Sequence, residues 1–513
     1  MSVENSENSP HRTLNRPNKG LEMIPKSKIV LGIDVGTSGL RGCIVKQESS
    51  YDDRKIGPTE QRQEKELILY SASVTLESPI KNELNKSSTQ NPKLWIDGIN
   101  QLLCKLSEGF DLSRITNLIL DATSSTVLLC NQQGEPLTEA LMYNDLQAVE
   151  EAKQISQTPG YNPKSGANGT SSSLAKVLVL LKRLKLNKEI VIQSRSNTTI
   201  PHDPPIYICH QIDYLNCFLS GQINTTDENN ALKIGYDSIN QAWPDWVKKL
   251  LHSQNNQLTL PEVVKPGTNL GRLNAKITAR YGFSESTSLH AGTTDSIAGF
   301  LASGADQIGD VVISLGSTLA IKVISDVPIF SSEFGIYSHR LKNNWLVGGA
   351  SNSGGAILTE QYSMRQMAAL IKAIQSSGLI LSETEQMAYY PLTKVGERFP
   401  IADSNLQPKM PLKPTQKLNL QAPSIEHQRY FLGLIHGLIH VEQLAYEKLN
   451  ALGCHLKCVY AVGGGVQNKL WMSLRAERLQ NNHYSTLKLS YPMSWEAAFG
   501  VTRLIERDRS NYP

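Results

Sequence analysis

Hydroxyl-rich glycine turns, acids placed beside them and a triple-glycine loop are the residues of this chain whose types and spacing suit chemistry. An apolar run over residues 29–33 predicts a buried strand that carries Asp34. The run breaks at Gly36-Thr37-Ser38-Gly39 and resumes as a second strand to Val45. Two glycines and two hydroxyls make a tight hairpin whose backbone N–H groups can point outward together, a concavity that attracts anions. With Asp34 beside it, the hairpin suits a phosphate and its Mg²⁺. It is neither a GxxxxGK[ST] loop nor a strand-GxGxxG-helix fingerprint. An ordinary glycine-rich hairpin accounts for these residues equally well when they are taken alone.

The same design returns 280 residues later, from Gly36 to Gly316, where Leu315-Gly316-Ser317-Thr318 interrupts a strand-turn-strand pattern over residues 310–324. Two such hairpins, each starting an α/β unit, predict two domains related by internal duplication. Further on, a strand at 458–462 leads into Gly463-Gly464-Gly465 and then a helix over 468–479, an arrangement that favours a nucleotide site. Asp295 follows Gly292-Thr293-Thr294, read as a turn, and precedes a small-residue helix. Such an acid can cap the helix and offset its dipole, for about 1 kcal/mol. It can also act as a general base that takes a proton from a substrate hydroxyl.

Other reactive residues have plainer explanations. His436 and His440 share one face of an apolar helix without the Glu of HExxH, so they read as packing histidines. Cys454 and Cys458 flank His455, but no second cysteine pair completes a zinc site. Spacing assembles no Ser–His–Asp set, and Ser171-Ser172-Ser173 reads as a helix start.

The elements that would hold these residues alternate between helix and buried strand. Residues 67–76, 115–121 and 126–130 have strand character; 92–105, 171–184, 211–219 and 430–452 have helical spacing, the last ending at Gly453. Interleaving of this kind predicts an α/β protein. At 513 residues the chain has room for two or more domains. Its formal charge of +4, without a dense basic stretch, gives no reason to expect a nucleic-acid partner. Seven scattered cysteines do not read as a disulfide framework, and no apolar run reaches the roughly 18 residues of a membrane helix. Residues 1–28 are expected to be a disordered polar tail, 48–66 a charged solvent loop, and the protein cytoplasmic.

Taken in order, several segments resemble the FGGY family of carbohydrate kinases, relatives of actin and hexokinase. They are Asp34-Val-Gly-Thr-Ser-Gly-Leu-Arg41, Asp121-Ala-Thr-Ser-Ser125, Leu141-Met-Tyr-Asn-Asp145, residues 226–237, Ala291-Gly-Thr-Thr-Asp-Ser296, Leu315-Gly-Ser-Thr318 and Gly463-Gly-Gly-Val-Gln-Asn468 with Trp471. Within the family the chain is most similar to the cyanobacterial and plant pentulose kinases described as D-ribulokinase or xylulokinase-like. Gln147 departs from the Arg common two residues after the Asn-Asp pair, and Lys469 replaces a frequent proline.

The resemblance implies an α/β fold of two actin-like (ribonuclease H-like) ATPase domains with sugar and ATP in the cleft between them. It implies a sugar-binding domain over 29–300 and a nucleotide-binding domain over 301–513. Asp295 would be the base and Asp34 would hold Mg²⁺. Gly36, Thr37 and Ser38 would reach the γ-phosphate and the sugar, with Ser124 as a further sugar contact. Gly316, Ser317 and Thr318 would cradle the other phosphates, and Gly464, Gly465 and Asn468 would border the adenine. The expected reaction is ATP-dependent phosphorylation of a pentulose, D-ribulose first and D-xylulose or another polyol second, by a monomer or homodimer. A non-catalytic nucleotide-binding regulator on the same fold is the rival.

Overall fold

The computed structural model describes residues 27–47, 66–194, 204–331, 333–480 and 487–505. The expectations for the tail and for the charged loop therefore lie almost wholly outside the described residues.

The first sheet contains β1 (Lys28–Val35), β2 (Gly39–Gln47), β3 (Glu66–Thr75), β4 (Asn117–Ala122), β5 (Asn269–Arg272) and β6 (Ser288–Thr294), in the spatial order β5-β6-β4-β1-β2-β3. β1 and β2 form an antiparallel hairpin and β3 extends it, while β4 pairs parallel to β1 and β6 parallel to β4. The second major sheet contains β7 (Asp310–Leu315), β8 (Leu319–Ser325), β9 (Tyr337–Leu341), β10 (Asn344–Ala350), β11 (Cys458–Val462) and β12 (Lys488–Ser490), in the order β9-β10-β8-β7-β11-β12. Here β7 and β8 form the hairpin, β10 extends it antiparallel, and β11 and β12 follow parallel. The run β3-β2-β1-β4-β6 thus has the order and directions of β10-β8-β7-β11-β12. That match is the topological form of the duplication expected from the two hairpins.

A third six-stranded sheet, built from Ile80–Asn82, Ser87–Gln90, Val127–Cys130, Ala140–Leu141, Ile206–His210 and Leu258–Thr259, is inserted into the first half. The helices expected from periodicity are present with shifted boundaries, and others, such as Asp245–Gln254 and Met364–Ser377, were not expected. α1 (Lys93–Gly109) buries Trp95, Ile99, Leu102, Leu103 and Leu106 along one stripe. α2 (Ser173–Ser194) runs ten residues beyond its expected end, and α3 (Gln211–Ser220) stops at Gly221 in the left-handed region. α4 (Asp295–Ala302) follows β6 directly, so Gly292-Thr293-Thr294 is the end of a strand and not the expected turn. α5 (Ile425–Ala451) starts earlier than its apolar run because Ser424 accepts the N–H of His427 and caps it. α6 (Lys469–Gln480) and α7 (Ala497–Thr502) complete the second half.

α4 and α7 occupy equivalent places, each after the last parallel strand of its sheet. They pack on one another, and α7 also covers β1 and β2 of the first sheet. Gly500 permits this closeness, since a Cβ there would stand 1.9 Å from the backbone oxygen of Ala298. The resulting apolar layer joins Val30, Ile119, Ile297 and Leu301 to Val312, Ile324, Leu346 and Val501. Val501, Leu504 and Ile505 are therefore part of the seam between the halves.

Candidate active site

Parallel register brings the acids together. Asp34 ends β1 and stands opposite Asp121 of β4, and Asp121 is in turn opposite Thr293 of β6, two residues before Asp295. Asp121 is fully buried, and neither carboxyl oxygen meets an N–H or O–H donor. Burial drives its carboxyl far above the usual range, reinforced by the charges of Asp34 and Asp295. The half-buried Asp34 lies within hydrogen-bonding reach of Asp121. Burial raises its carboxyl too, against the lowering effects of Asp121 and Arg41. Arg41 pairs with Glu496 at 3.1 Å, tying β2 to the residue before α7.

Asp295 is the first residue of α4, and its Oδ1 accepts the Ser296 N–H at 2.7 Å. Burial raises its carboxyl to about 6; the N–H groups of Ser296 and Ser124 and the charge of Lys322 oppose that rise. Ser124 is held in place from both sides. Thr123 donates its N–H to Gln211 Oε1 at 3.1 Å, and Ser125 adopts a left-handed φ of 64°. The Ser125 carbonyl accepts from Lys176 Nζ at 2.9 Å, which also donates to Met142 O at 2.8 Å. Lys176 is fully buried, and burial pushes its ammonium down to about 7.

The two hairpins keep their expected form. The Gly36 N–H closes on Gly39 O at 3.0 Å, with Thr37 half-exposed and Ser38 exposed. Gly316 O accepts the Gly355 N–H at 2.8 Å, Ser317 O accepts the Ala356 N–H at 3.2 Å, and the residues Ser317 and Thr318 face solvent. Gly354 lies so close that a Cβ would stand 2.5 Å from Thr318 Cα. The glycine loop abuts the same hairpin. Gly465 is pressed between Leu315 and Trp471, whereas a Cβ on Gly464 would meet nothing within 4 Å. Asn468 Oδ1 accepts the Trp471 N–H at 3.1 Å, so this side chain is engaged at the start of α6.

The site residues named from sequence thus gather in two groups. Asp34, Ser124 and Asp295 meet on the first half, with Thr37 and Ser38 in the adjoining hairpin. Gly316, Ser317, Thr318, Gly464, Gly465 and Asn468 meet on the second. Asp121, Lys176 and Lys322, which sequence reasoning does not single out as site residues, join the first group. Lys322 of β8 reaches across from the second half and donates to Ser296 O at 2.9 Å. A second bridge is Asn229, whose side chain accepts the Arg340 N–H at 2.9 Å and donates to Arg340 O at 3.0 Å.

A hydroxyl, an imidazole and a carboxyl do line up elsewhere, contrary to the sequence reading: His210 Nε2 lies 3.0 Å from Ser173 Oγ and Nδ1 3.1 Å from Asp213 Oδ2. Ser173 and His210 are fully buried, so no substrate reaches them and the set fastens α2 to the sheet. His436 behaves as a packing residue, its imidazole pushed down to about 4 by burial. Among the described residues no group of three or more His, Cys, Asp or Glu could cage a metal. Mg²⁺ in phosphoryl transfer needs no such cage, because it keeps waters and takes one or two carboxylates together with phosphate oxygens. Asp34, beside the unpartnered oxygens of Asp121, supplies a hard acidic donor set of that sort. None of the described helices is long and apolar enough to cross a membrane.

Comparison with known proteins decides the class. The profile of the FGGY family of carbohydrate kinases, N-terminal domain, matches residues 29–302, more than half of the chain. The chain belongs to the FGGY family of carbohydrate kinases. As an FGGY kinase it is a phosphotransferase that uses ATP and an alcohol acceptor, which sets aside the non-catalytic regulator. It is 21% identical to the xylulose kinase of Staphylococcus xylosus over 461 residues, covering 87% of this chain and 85% of the other. It is 20% identical to the gluconokinase of Bacillus licheniformis over 472 residues, covering 87% and 82%. The xylulose kinase structure from Rhodospirillum rubrum superposes with a TM-score of 0.70 at 18% identity, over 93% of this chain and 89% of that one. This confirms the fold of two actin-like ATPase domains.

Proposed function

We propose that this FGGY kinase phosphorylates a pentulose at its terminal hydroxyl, with D-ribulose as the acceptor. D-xylulose or another polyol is the alternative within the same chemistry. The observation that carries the reading is Asp295: an acid at the seam of two phosphate-type hairpins, with a carboxyl raised to about 6 and so ionised yet basic near neutral pH. Similarity to xylulose kinases along most of the chain supports a pentulose.

In this reading residues 29–300 hold the sugar and 301–513 the nucleotide. Ser38 and Ser124 hold sugar hydroxyls, and Ser124 also donates its N–H to Asp295. Asp295 accepts the proton of the attacking hydroxyl. The sugar oxygen forms a bond to the γ-phosphorus, and the bond from that phosphorus to the β–γ bridging oxygen breaks with its electron pair going to ADP. Phosphoryl transfer needs mainly positioning and charge stabilisation, so the base is expected to contribute about 10²–10⁴-fold. Gly36 and Thr37 bring N–H and hydroxyl donors to the γ-phosphate. Gly316, Ser317 and Thr318 hold the remaining phosphates, and Gly464, Gly465 and Asn468 border the adenine. Asp34, supported by Asp121, would hold Mg²⁺, which neutralises phosphate charge when bound.

A coupled ADP-release assay over a panel of ketoses and polyols tests the reading. We expect D-ribulose to give the highest kcat/KM. Equal inactivity on D-ribulose and D-xylulose would overturn it.

A further inference from the structure

We propose that Lys322 is a further catalytic residue, whose ammonium contacts the phosphoryl group as it crosses from the nucleotide half to the sugar. The inference rests on the kinase reading above and adds a residue to it.

Lys322 lies on β8, the strand that leaves the second hairpin, four residues or about 13 Å beyond Thr318. On β8, Ile321 and Val323 point into the core of the second half. Alternation turns Lys322 to the opposite face, with Ile324 of the apolar seam. Its Nζ ends on the carbonyl of Ser296, the residue after the base, at 2.9 Å. One side chain thus spans from the strand that follows the phosphate hairpin of one half to the residue after Asp295 in the other. A group moving between those two walls passes its ammonium.

Charge supports the placement. Asp34 and Asp295 are acids at this seam, and a bound triphosphate would add negative charge to theirs. Lys322 is the cation that acts directly on Asp295, and its own surroundings are Asp295, Tyr337 and Lys233. Lys233 is turned aside, with its Nζ 3.8 Å over the Tyr337 ring, and His339 packs against that ring at 5.0 Å. An ammonium has three donors, and the Ser296 carbonyl takes one. The other two can hold phosphoryl oxygens while Asp295 takes the hydroxyl proton. The bonds made and broken are those already given.

Lys322→Gln keeps a donor for Ser296 O and removes the charge, whereas Lys322→Arg keeps the charge. We expect Lys322→Gln to lower kcat about 10²–10³-fold, with KM for ATP changed less than threefold and the melting temperature kept. Without its cation neighbour Asp295 should protonate more readily, so the acid limb of the pH profile of kcat/KM should move to higher pH. Lys322→Arg should return the limb to the wild-type position and recover part of kcat. A kcat within threefold of wild type in Lys322→Gln would overturn the assignment. So would equal losses in both variants with an unmoved acid limb, the signature of a packing role. Failure of the pentulose assignment would show separately, in wild-type enzyme inactive on every ketose.

Discussion

Asp295 works in two directions at once, and its carboxyl sets both signs. In the proposed role the base is the ionised form, so with a carboxyl raised to about 6 we expect kcat/KM to fall tenfold per pH unit below about pH 6. The same shift bears on stability. A folded carboxyl that titrates above its unfolded value holds its proton more tightly, so its contribution is most favourable below pH 3.8 and declines as pH rises through 6. Above that range the folded protein carries a half-buried charge at a cost. Asp295→Asn should therefore melt at a temperature equal to or a few degrees above wild type at pH 7.5, measured by calorimetry. A drop of several degrees would contradict that origin of the shift. Asp34 and Asp295 were readable from the sequence because each sits beside a glycine-hydroxyl signal. The placement of Asp121 was not, since it depends on parallel register between β1 and β4, which pairs Asp34 with a residue 87 positions later, and on burial that leaves its oxygens without donors.

At the scale of elements, both hairpins, the helix that Asp295 begins and several of the longer helices were visible as apolar periodicity broken by Gly, Ser and Thr. What periodicity could not convey is which elements meet across the molecule. Lys322 reads as an ordinary polar position on a strand, yet it faces α4 of the other half. Lys176 reads as one cation in an amphipathic helix, yet it is buried against the turn that aims Ser124. The contact of α4 with α7 is equally hidden, because it depends on the missing side chain of Gly500. Gly500→Ala would place a methyl 1.9 Å from Ala298 O, a backbone atom that cannot move aside alone. We expect a loss of about 1–3 kcal/mol, seen as a lower denaturant midpoint, with a larger fractional loss of kcat than in a surface glycine control such as Gly378→Ala. An unchanged midpoint would mean that the two helices separate easily.

At the scale of the molecule, duplication gives each half a hairpin, a parallel pair and a seam helix, and function then divides between the copies. The first carries the acids and the inserted sheet; the second carries the glycine loop. The bridges from Lys322 to Ser296 and from Asn229 to Arg340 hold the halves in register. Sequence alone could indicate ATP chemistry, because phosphate nests are local. It could not indicate the sugar from spacing, because the segments proposed to meet it come from distant parts of the chain. The central claim is that Asp295 takes the proton of a sugar hydroxyl in ATP-dependent transfer. Single-turnover ADP formation by wild type and Asp295→Asn, with D-ribulose and with nucleotide binding followed by calorimetry, tests it most directly. The account predicts a loss of 10²–10⁴-fold in the variant with ATP affinity kept; a variant that turns over within a few-fold of wild type would contradict it.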